Sequence, residues 1–279
     1  MRIYLTADME GIAGIASREL QLVPEGLQFA DARKLLTAEV NAAIAGAYDA
    51  GASYVLVNDS HGRMSNILPS ELDPRAELSQ GFPKPLYMME GIDDHFDLVF
   101  MVGYHAAVGT ANGFYNHSYN SRGVYNVRVD GKPLSESMLN GRVAGHYGVP
   151  VGLITGDEAT ILQTQAEAPG VLGAVVKWSY TRGATRALSP ERAREMIRRE
   201  AAAAVRTSGT PARATMLMDP GPGPIAWEVD WILSPMADLA CLVSGVRRTG
   251  DRTVAYTSLD YLSGFKTFMV LTMLSYQVQ

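Results

Sequence analysis

A chain of 279 residues with 47% apolar and 19% charged side chains carries enough core-forming material for one large α/β domain, which excludes a disordered or fibrous protein. Its net charge of -5 leaves no basic surplus for a phosphate backbone, so nucleic acid is not an expected partner. The apolar stretch Phe265–Leu274 is too short to span a bilayer, and Asp8 and Glu10 interrupt the N-terminal segment before a signal-peptide core develops; with a single cysteine, Cys241, the chain is expected to be cytoplasmic and free of membrane contacts.

Short apolar runs alternate with helical patterns along the chain, as a parallel sheet requires, because each parallel crossover consumes a helix. Arg2–Ala7 reads as the first strand. Residues Leu35, Leu36, Val40, Ala43, Ile44 and Ala47 recur at helical spacing within 31–50, and Gly51 provides the stop. Strands are expected at 54–58 and 97–102, the latter apolar throughout and therefore covered on both faces. Between Asn116 and Pro133 the pattern changes to alternation around an Asp130-Gly131 turn, an antiparallel excursion. Helices follow at 135–147 and 157–166, with strands at 151–155 and 171–177. The segment 190–205 is the clearest helix, opened by Ser189 and Pro190. The stretch Asp219-Pro220-Gly221-Pro222-Gly223-Pro224 is the best linker candidate, and beyond it the pattern suggests a helix, a hairpin around Thr249-Gly250-Asp251 and a final helix from Ser258. The expected fold is α/β: a mostly parallel sheet with helices on both faces, plus an intertwined smaller α/β subdomain with an antiparallel excursion. Residues 1–279 form a single catalytic unit in this reading, and any subdomain boundary falls within 207–224.

Ligands of open α/β sheets bind at the carboxyl ends of the strands, so polar residues just after an apolar strand are where chemistry is expected. Three strands end that way here: in Asp8-Met9-Glu10-Gly11, in Asn58-Asp59-Ser60-His61-Gly62 and in Gly103-Tyr104-His105-Ala106. Carboxylate oxygen and imidazole nitrogen suit zinc or a similar first-row metal, and one carboxylate can bridge two ions; Asp8 is the candidate bridge. Alternation in an extended segment lets Asp8 and Glu10 face one site while Met9 points back. Taken singly, the acids also fit a helix N-terminus and the imidazoles fit hydrogen-bonded loop histidines. The residues by themselves define a metal site whose commonest use is hydrolysis. His95, between charged neighbours, and His146, near a helix end, read as solvated, and Asp157 and Glu158 read as an acidic first helical turn. Gly11-Ile12-Ala13-Gly14 lacks the Gly-x-Gly-x-x-Gly spacing of a dinucleotide fold.

Thr6-Ala7-Asp8-Met9-Glu10-Gly11, Val57-Asn58-Asp59-Ser60-His61, Gly103-Tyr104-His105-Ala106 and Asn116-His117-Ser118, in this order and followed by Glu136, resemble the signature blocks of the DppA-type D-aminopeptidases. The resemblance runs nearly end to end, with Thr6 in place of the family's serine. It implies two zinc ions per subunit, bridged by Asp8 and completed by Glu10, His61, His105 and Glu136. It also implies His117 as the catalytic histidine, which on its residue type alone could equally be a sixth ligand or structural. The family further implies short peptides with an N-terminal D-residue as substrates and a ring-stacked homo-decamer around an inner channel. Two rival readings accompany it: another dimetal hydrolase, acting on a phosphate ester or a different amide, and a non-catalytic peptide-binding protein.

Overall fold

The computed structural model describes residues 1–278, and the apolar runs and helical patterns alternate through it as the sequence leads one to expect. In chain order the elements are β1 (Arg2–Ala7), α1 (Phe29–Asp49), β2 (Tyr54–Asp59), β3 (Glu77–Ser79), β4 (Leu98–Tyr104), β5 (Val124–Val129), β6 (Lys132–Pro133), α2 (Glu136–His146), β7 (Val151–Asp157), α3 (Glu158–Glu167), β8 (Leu172–Thr181), β9 (Ala184–Ala187), α4 (Pro190–Ser208), β10 (Ile225–Trp231), α5 (Ser234–Ala240), β11 (Arg247–Arg248), β12 (Thr253–Ser258) and α6 (Tyr261–Ser275). Side-chain oxygens of Ser135, Asp157, Ser189 and Asp260 accept from the first-turn N–H groups of α2, α3, α4 and α6, which fixes where those helices begin.

Two sheets result. The larger has the order β3-β2-β1-β4-β7-β8-β9 and is parallel except for the β8–β9 hairpin. The smaller, β11-β12-β10-β5-β6, is antiparallel. Alternation along each central strand of the large sheet feeds two cores. Ile3, Leu5, Leu98, Phe100 and Val102 pack with Leu36, Val40 and Ile197 from α1 and α4. Tyr4, Val99 and Met101 pack on the opposite face with Leu139 of α2, Ile161 of α3, Trp227 and Val229 of the second sheet and Phe265 of α6. Every residue of β4 is buried, as expected of a strand covered on both sides.

Two expectations need correction. The segment after the Pro/Gly stretch begins with a strand, β10, whose Ile225, Trp227, Val229 and Trp231 point inward while the residues between them are more exposed; the expected helix is only the short α5 that follows. The final helix starts at Tyr261, because Ser258 completes β12 and Asp260 supplies the cap. The antiparallel excursion is also larger than the Asp130-Gly131 hairpin alone, since β5 pairs with β10 in the middle of the second sheet. Within 207–224, Met216 enters one core and Met218 the other, and a Cβ on Gly141 of α2 would lie 2.1 Å from the Met218 sulfur. This connection is packed against the body of the molecule. Among the described residues no helix is long and apolar enough to cross a membrane.

Candidate metal centre

In the large sheet β2, β1 and β4 are neighbours, and the chain crosses from one side of β1 to the other between β3 and β4. Crevices form at such a reversal of strand order. All three polar strand ends therefore open onto one place. Backbone contacts hold them there: Asp8 N–H donates to the Val102 carbonyl (2.8 Å), Gly11 N–H to Gly103 (2.7 Å) and Ser60 N–H to Ala7 (2.9 Å). A Cβ on Gly11 would lie 2.2 Å from the Tyr104 carbonyl oxygen, and one on Gly103, at φ +73°, would lie 2.2 Å from that of Asp8. Neither position has room for a side chain.

Six predicted residues converge. Asp8, Glu10 and His61 each offer a ligand-type atom within 4.8 Å of the others, and so do His105, His117 and Glu136. Asp8 lies between the groups: its Oδ1 is 3.2 Å from His61 Nδ1, and its Oδ2 is 3.4 Å from His105 Nε2. Glu10 Oε2 approaches His61 Nδ1 at 3.0 Å, and Glu136 Oε1 approaches His105 Nε2 at 3.4 Å. His117 Nε2 stands 3.9 Å from both Glu10 Oε1 and Glu136 Oε1, with its ring stacked on His105 at 4.1 Å.

The second nitrogen of each imidazole is already engaged. His61 Nε2–H donates to the Leu22 carbonyl (2.9 Å), His105 Nδ1–H to Ala106 (3.0 Å) and His117 Nδ1–H to Tyr115 (2.8 Å). These bonds select the tautomers whose free lone pairs face the carboxylates, the arrangement that orients histidine toward a metal. Asp8 Oδ2 and His105 Nε2 are buried without a hydrogen-bond partner. A buried polar atom left unpaired is costly, and a cation between these two atoms would satisfy both, so the donor set fits a bound metal.

The electrostatics agree. Burial, then the adjacent Glu10 charge, raises Asp8, while the two imidazoles outweigh burial and hold Glu10 far below the usual carboxylate range. Burial opposes protonation of His105, but Glu136, Asp8 and Glu10 dominate and raise it to about 10; His61 is raised by Glu10 and Asp8 in the same way. The carboxylates thus hold both imidazoles toward their charged form, the same pull that would favour a cation at the site. His117 differs: burial and the His105 ring lower it to about 4, leaving a neutral imidazole at pH 7.

Beneath the cluster runs a buried chain of hydrogen bonds, Ser60–Thr6 (2.8 Å), Thr6–Tyr104 (3.0 Å), Asn140–Tyr104 (3.0 Å) and Tyr119–Asn140 (2.6 Å). It ties β1, the β2 and β4 ends and α2 into one floor, with Tyr119 N–H donating to Glu136 Oε1 at 2.5 Å. The hydroxyl of Thr6 is thus in use. Tyr115 and Tyr119, on either side of His117, both adopt the left-handed backbone region (φ 40° and 49°), strain of a kind that concentrates at functional sites. Asp59 bonds to the chain beyond His61. It accepts from the N–H groups of Asn66 and Ile67 and from the Asn66 amide, which in turn donates to the His61 carbonyl, so it anchors the loop rather than the imidazole. His95 and His146 are exposed, and Asp157 caps α3, as expected; Cys241 is half-buried.

Two buried ionisable side chains hold the loop that carries Glu10. Lys177 Nζ donates to the carbonyls of Glu10 (2.5 Å) and Ile15 (2.6 Å), and Glu39 Oε1 accepts from Ala13 N–H (2.8 Å). Burial pushes Glu39 up to about 8 and its Oε2 lacks a partner. Folded protein therefore keeps a proton that the unfolded chain releases near its ordinary value of 4.5, so stability should fall as pH rises between about 5 and about 7. One such group gives at most about 1.4 kcal/mol per pH unit. Glu39→Gln, followed by denaturant midpoints across that range, should show a shallower fall than wild type; parallel curves would contradict the assignment.

Asp8, Glu10, His61, His117 and Glu136 line a cavity of about 890 Å³, within the range of small-molecule sites, and Arg18, Arg63 and Arg122 line it too. No basic cluster is visible beside the motifs in the sequence, because these three arginines come from separate loops. The Leu22 contact was equally hidden, being made by a backbone carbonyl, whereas Tyr104 adjoins His105 in a recognised block.

A switch-point crevice holding three carboxylates and three imidazoles around two orphaned buried atoms defines an α/β metal-dependent hydrolase. The family model for D-aminopeptidases, peptidase family M55, matches residues 1–270, and the chain belongs to that family. It is 33% identical to a D-aminopeptidase of Bacillus subtilis (strain 168) over 277 residues, 99% of this chain and 98% of that protein. The solved structure of the Zn-dependent D-aminopeptidase DppA from Bacillus subtilis, described as a self-compartmentalizing protease, matches with a TM-score of 0.92 at 31% identity, covering 100% of this chain and 99% of that one.

Proposed function

We propose that this protein is a dinuclear zinc aminopeptidase that removes the N-terminal residue, preferentially a D-residue, from short peptides. The observation that carries the reading is the division of Asp8, one oxygen toward His61 and Glu10 and the other, unpaired, toward His105 and Glu136. Asp8 is assigned to both ions, with Glu10 and His61 on one and His105 and Glu136 on the other. When bound, two zinc ions supply Lewis acidity that activates a water near neutral pH and polarises the scissile carbonyl.

The protein's own groups do the rest. His117 keeps its Nδ1 proton on the Tyr115 carbonyl, so Nε2 is the atom that accepts a proton from the attacking water and returns it to the leaving amine. Its neutral state before reaction suits that role. A free amine carries a lone pair that a cation held by Glu10 or Glu136 would accept, and a blocked one does not, which favours an unblocked N-terminus. The whole chain acts as one catalytic unit in this proposal, with 207–224 joining its two layers. It works in the cytoplasm, where a lone thiol such as Cys241 stays reduced. A homo-oligomer, a decamer by family resemblance, draws support from the relative's self-compartmentalizing character and from the exposed Leu27, Leu242 and Leu259.

The test is hydrolysis of a D-alanyl dipeptide, its L,L counterpart and its N-acetylated form by zinc-loaded and chelated protein. Turnover should require zinc, favour the D-substrate and be lost on acetylation. Efficient cleavage of the acetylated peptide would contradict an aminopeptidase. The arginines in the cavity favour one rival, a dimetal phosphoesterase, and faster turnover of p-nitrophenyl phosphate than of any peptide would select it.

A further inference from the structure

The cavity is lined by charged side chains of both signs. Asp8, Glu10 and Glu136 line its floor, while the remaining charged residues lining it, apart from His61 and His117, are Arg18, Arg63 and Arg122. Arg75, Arg128 and Arg198, by contrast, are paired with Asp73, Asp230 and Asp49. Among the described residues the side chains of Arg18, Arg63 and Arg122 have neither an ion-pair nor a hydrogen-bond partner, although they share a cavity with carboxylates. Each is carried by a segment tied to the metal centre. Arg18 opens the turn Arg18–Leu22, whose Leu22 carbonyl holds His61; Arg63 closely follows His61; Arg122 lies on the loop after His117. Arg18 is closest to the reacting groups by contact, its guanidinium carbon 5.6 Å from the Tyr115 ring centre, which is itself 5.2 Å from the His117 ring. Arg63 similarly lies 5.9 Å from the Phe82 ring centre. Aromatic faces of this kind hold a guanidinium without neutralising it.

We infer that these arginines, Arg18 foremost, bind the C-terminal carboxylate of the peptide, so that the substrate is recognised by both free termini. The inference rests on the aminopeptidase reading and adds a length and end-group specificity to it. A guanidinium fork matches a carboxylate in two parallel hydrogen bonds, the strongest neutral-pH recognition a peptide end offers. With the amine at the metal centre and the carboxylate at the arginines, the substrate is oriented by recognition of both ends. An extended chain advances only about 3.3–3.6 Å per residue, so two anchors within one cavity of about 890 Å³ select chains of a few residues and exclude proteins.

The experiment compares steady-state hydrolysis of a D-alanyl dipeptide and its C-terminal amide by zinc-loaded wild type, Arg18→Gln, Arg63→Gln, Arg122→Gln and the triple variant. Charge-assisted pairing predicts that wild type prefers the free acid by about 10- to 100-fold in kcat/KM. Arg18→Gln should remove most of that preference through a higher KM for the acid, with a clearly smaller change in kcat/KM for the amide and the zinc content unchanged. Equal handling of acid and amide by wild type would overturn the carboxylate site while leaving the peptidase intact, as would an equal loss on both substrates in the triple variant. Zinc-loaded wild type that cleaves neither would overturn the peptidase reading and this inference with it.

Discussion

Asp8→Ala is expected to empty both metal positions at once and to abolish turnover. Its two oxygens serve the two halves of the cluster separately, at 3.2 Å from His61 Nδ1 and 3.4 Å from His105 Nε2, and no other side chain touches both imidazoles that closely. Removing it also takes away one of the three buried carboxylates of the cluster. His61→Ala and His105→Ala should each lower zinc retention at one position and leave the other partly filled. Activity of Asp8→Ala should drop by far more than the roughly 10- to 100-fold that loss of an orienting group costs. Zinc per chain, measured on purified proteins beside turnover, checks this; two ions retained by Asp8→Ala would sink the bridging assignment.

His117→Ala separates proton transfer from metal binding. Loss of a general base and acid typically costs about 100- to 10,000-fold, and that fall is expected here with zinc content unchanged. The geometry makes the comparison informative, because His117 Nε2 stands 3.9 Å from carboxylates of both halves and groups with His105 and Glu136 as a conceivable ligand. Zinc lost together with activity would make it a ligand instead. His105 keeps its Nδ1–H bond to the Ala106 carbonyl in this variant, so a simple collapse of the pocket is not expected.

Much of this arrangement was legible in the sequence, for identifiable reasons. Asp8 and His105 directly follow an apolar strand and His61 comes two residues after one, and strands of that kind place their next residues at the sheet edge. That β2, β1 and β4 are neighbours is a matter of topology, which no local pattern encodes. Glu136 occupies the first turn of α2, where a carboxylate is ordinary, so only family resemblance singled it out. The strand β10 shows a clear period of two in Ile225, Trp227, Val229 and Trp231, but the Pro-led α5 behind it dominated the reading. Arg18, Arg63 and Arg122 lie on three loops, and their shared cavity exists only after folding.

Glu136 begins the helix after the antiparallel sheet, whereas Asp8, Glu10, His61 and His105 ride on the parallel one. Divalent ions seated between them would therefore rivet the two layers together, and ligands that favour the native state add their binding energy to its stability. Scarcity of the metal would then leave a looser molecule as well as an idle one, prone to heat and proteolysis at the seam where its chemistry is housed.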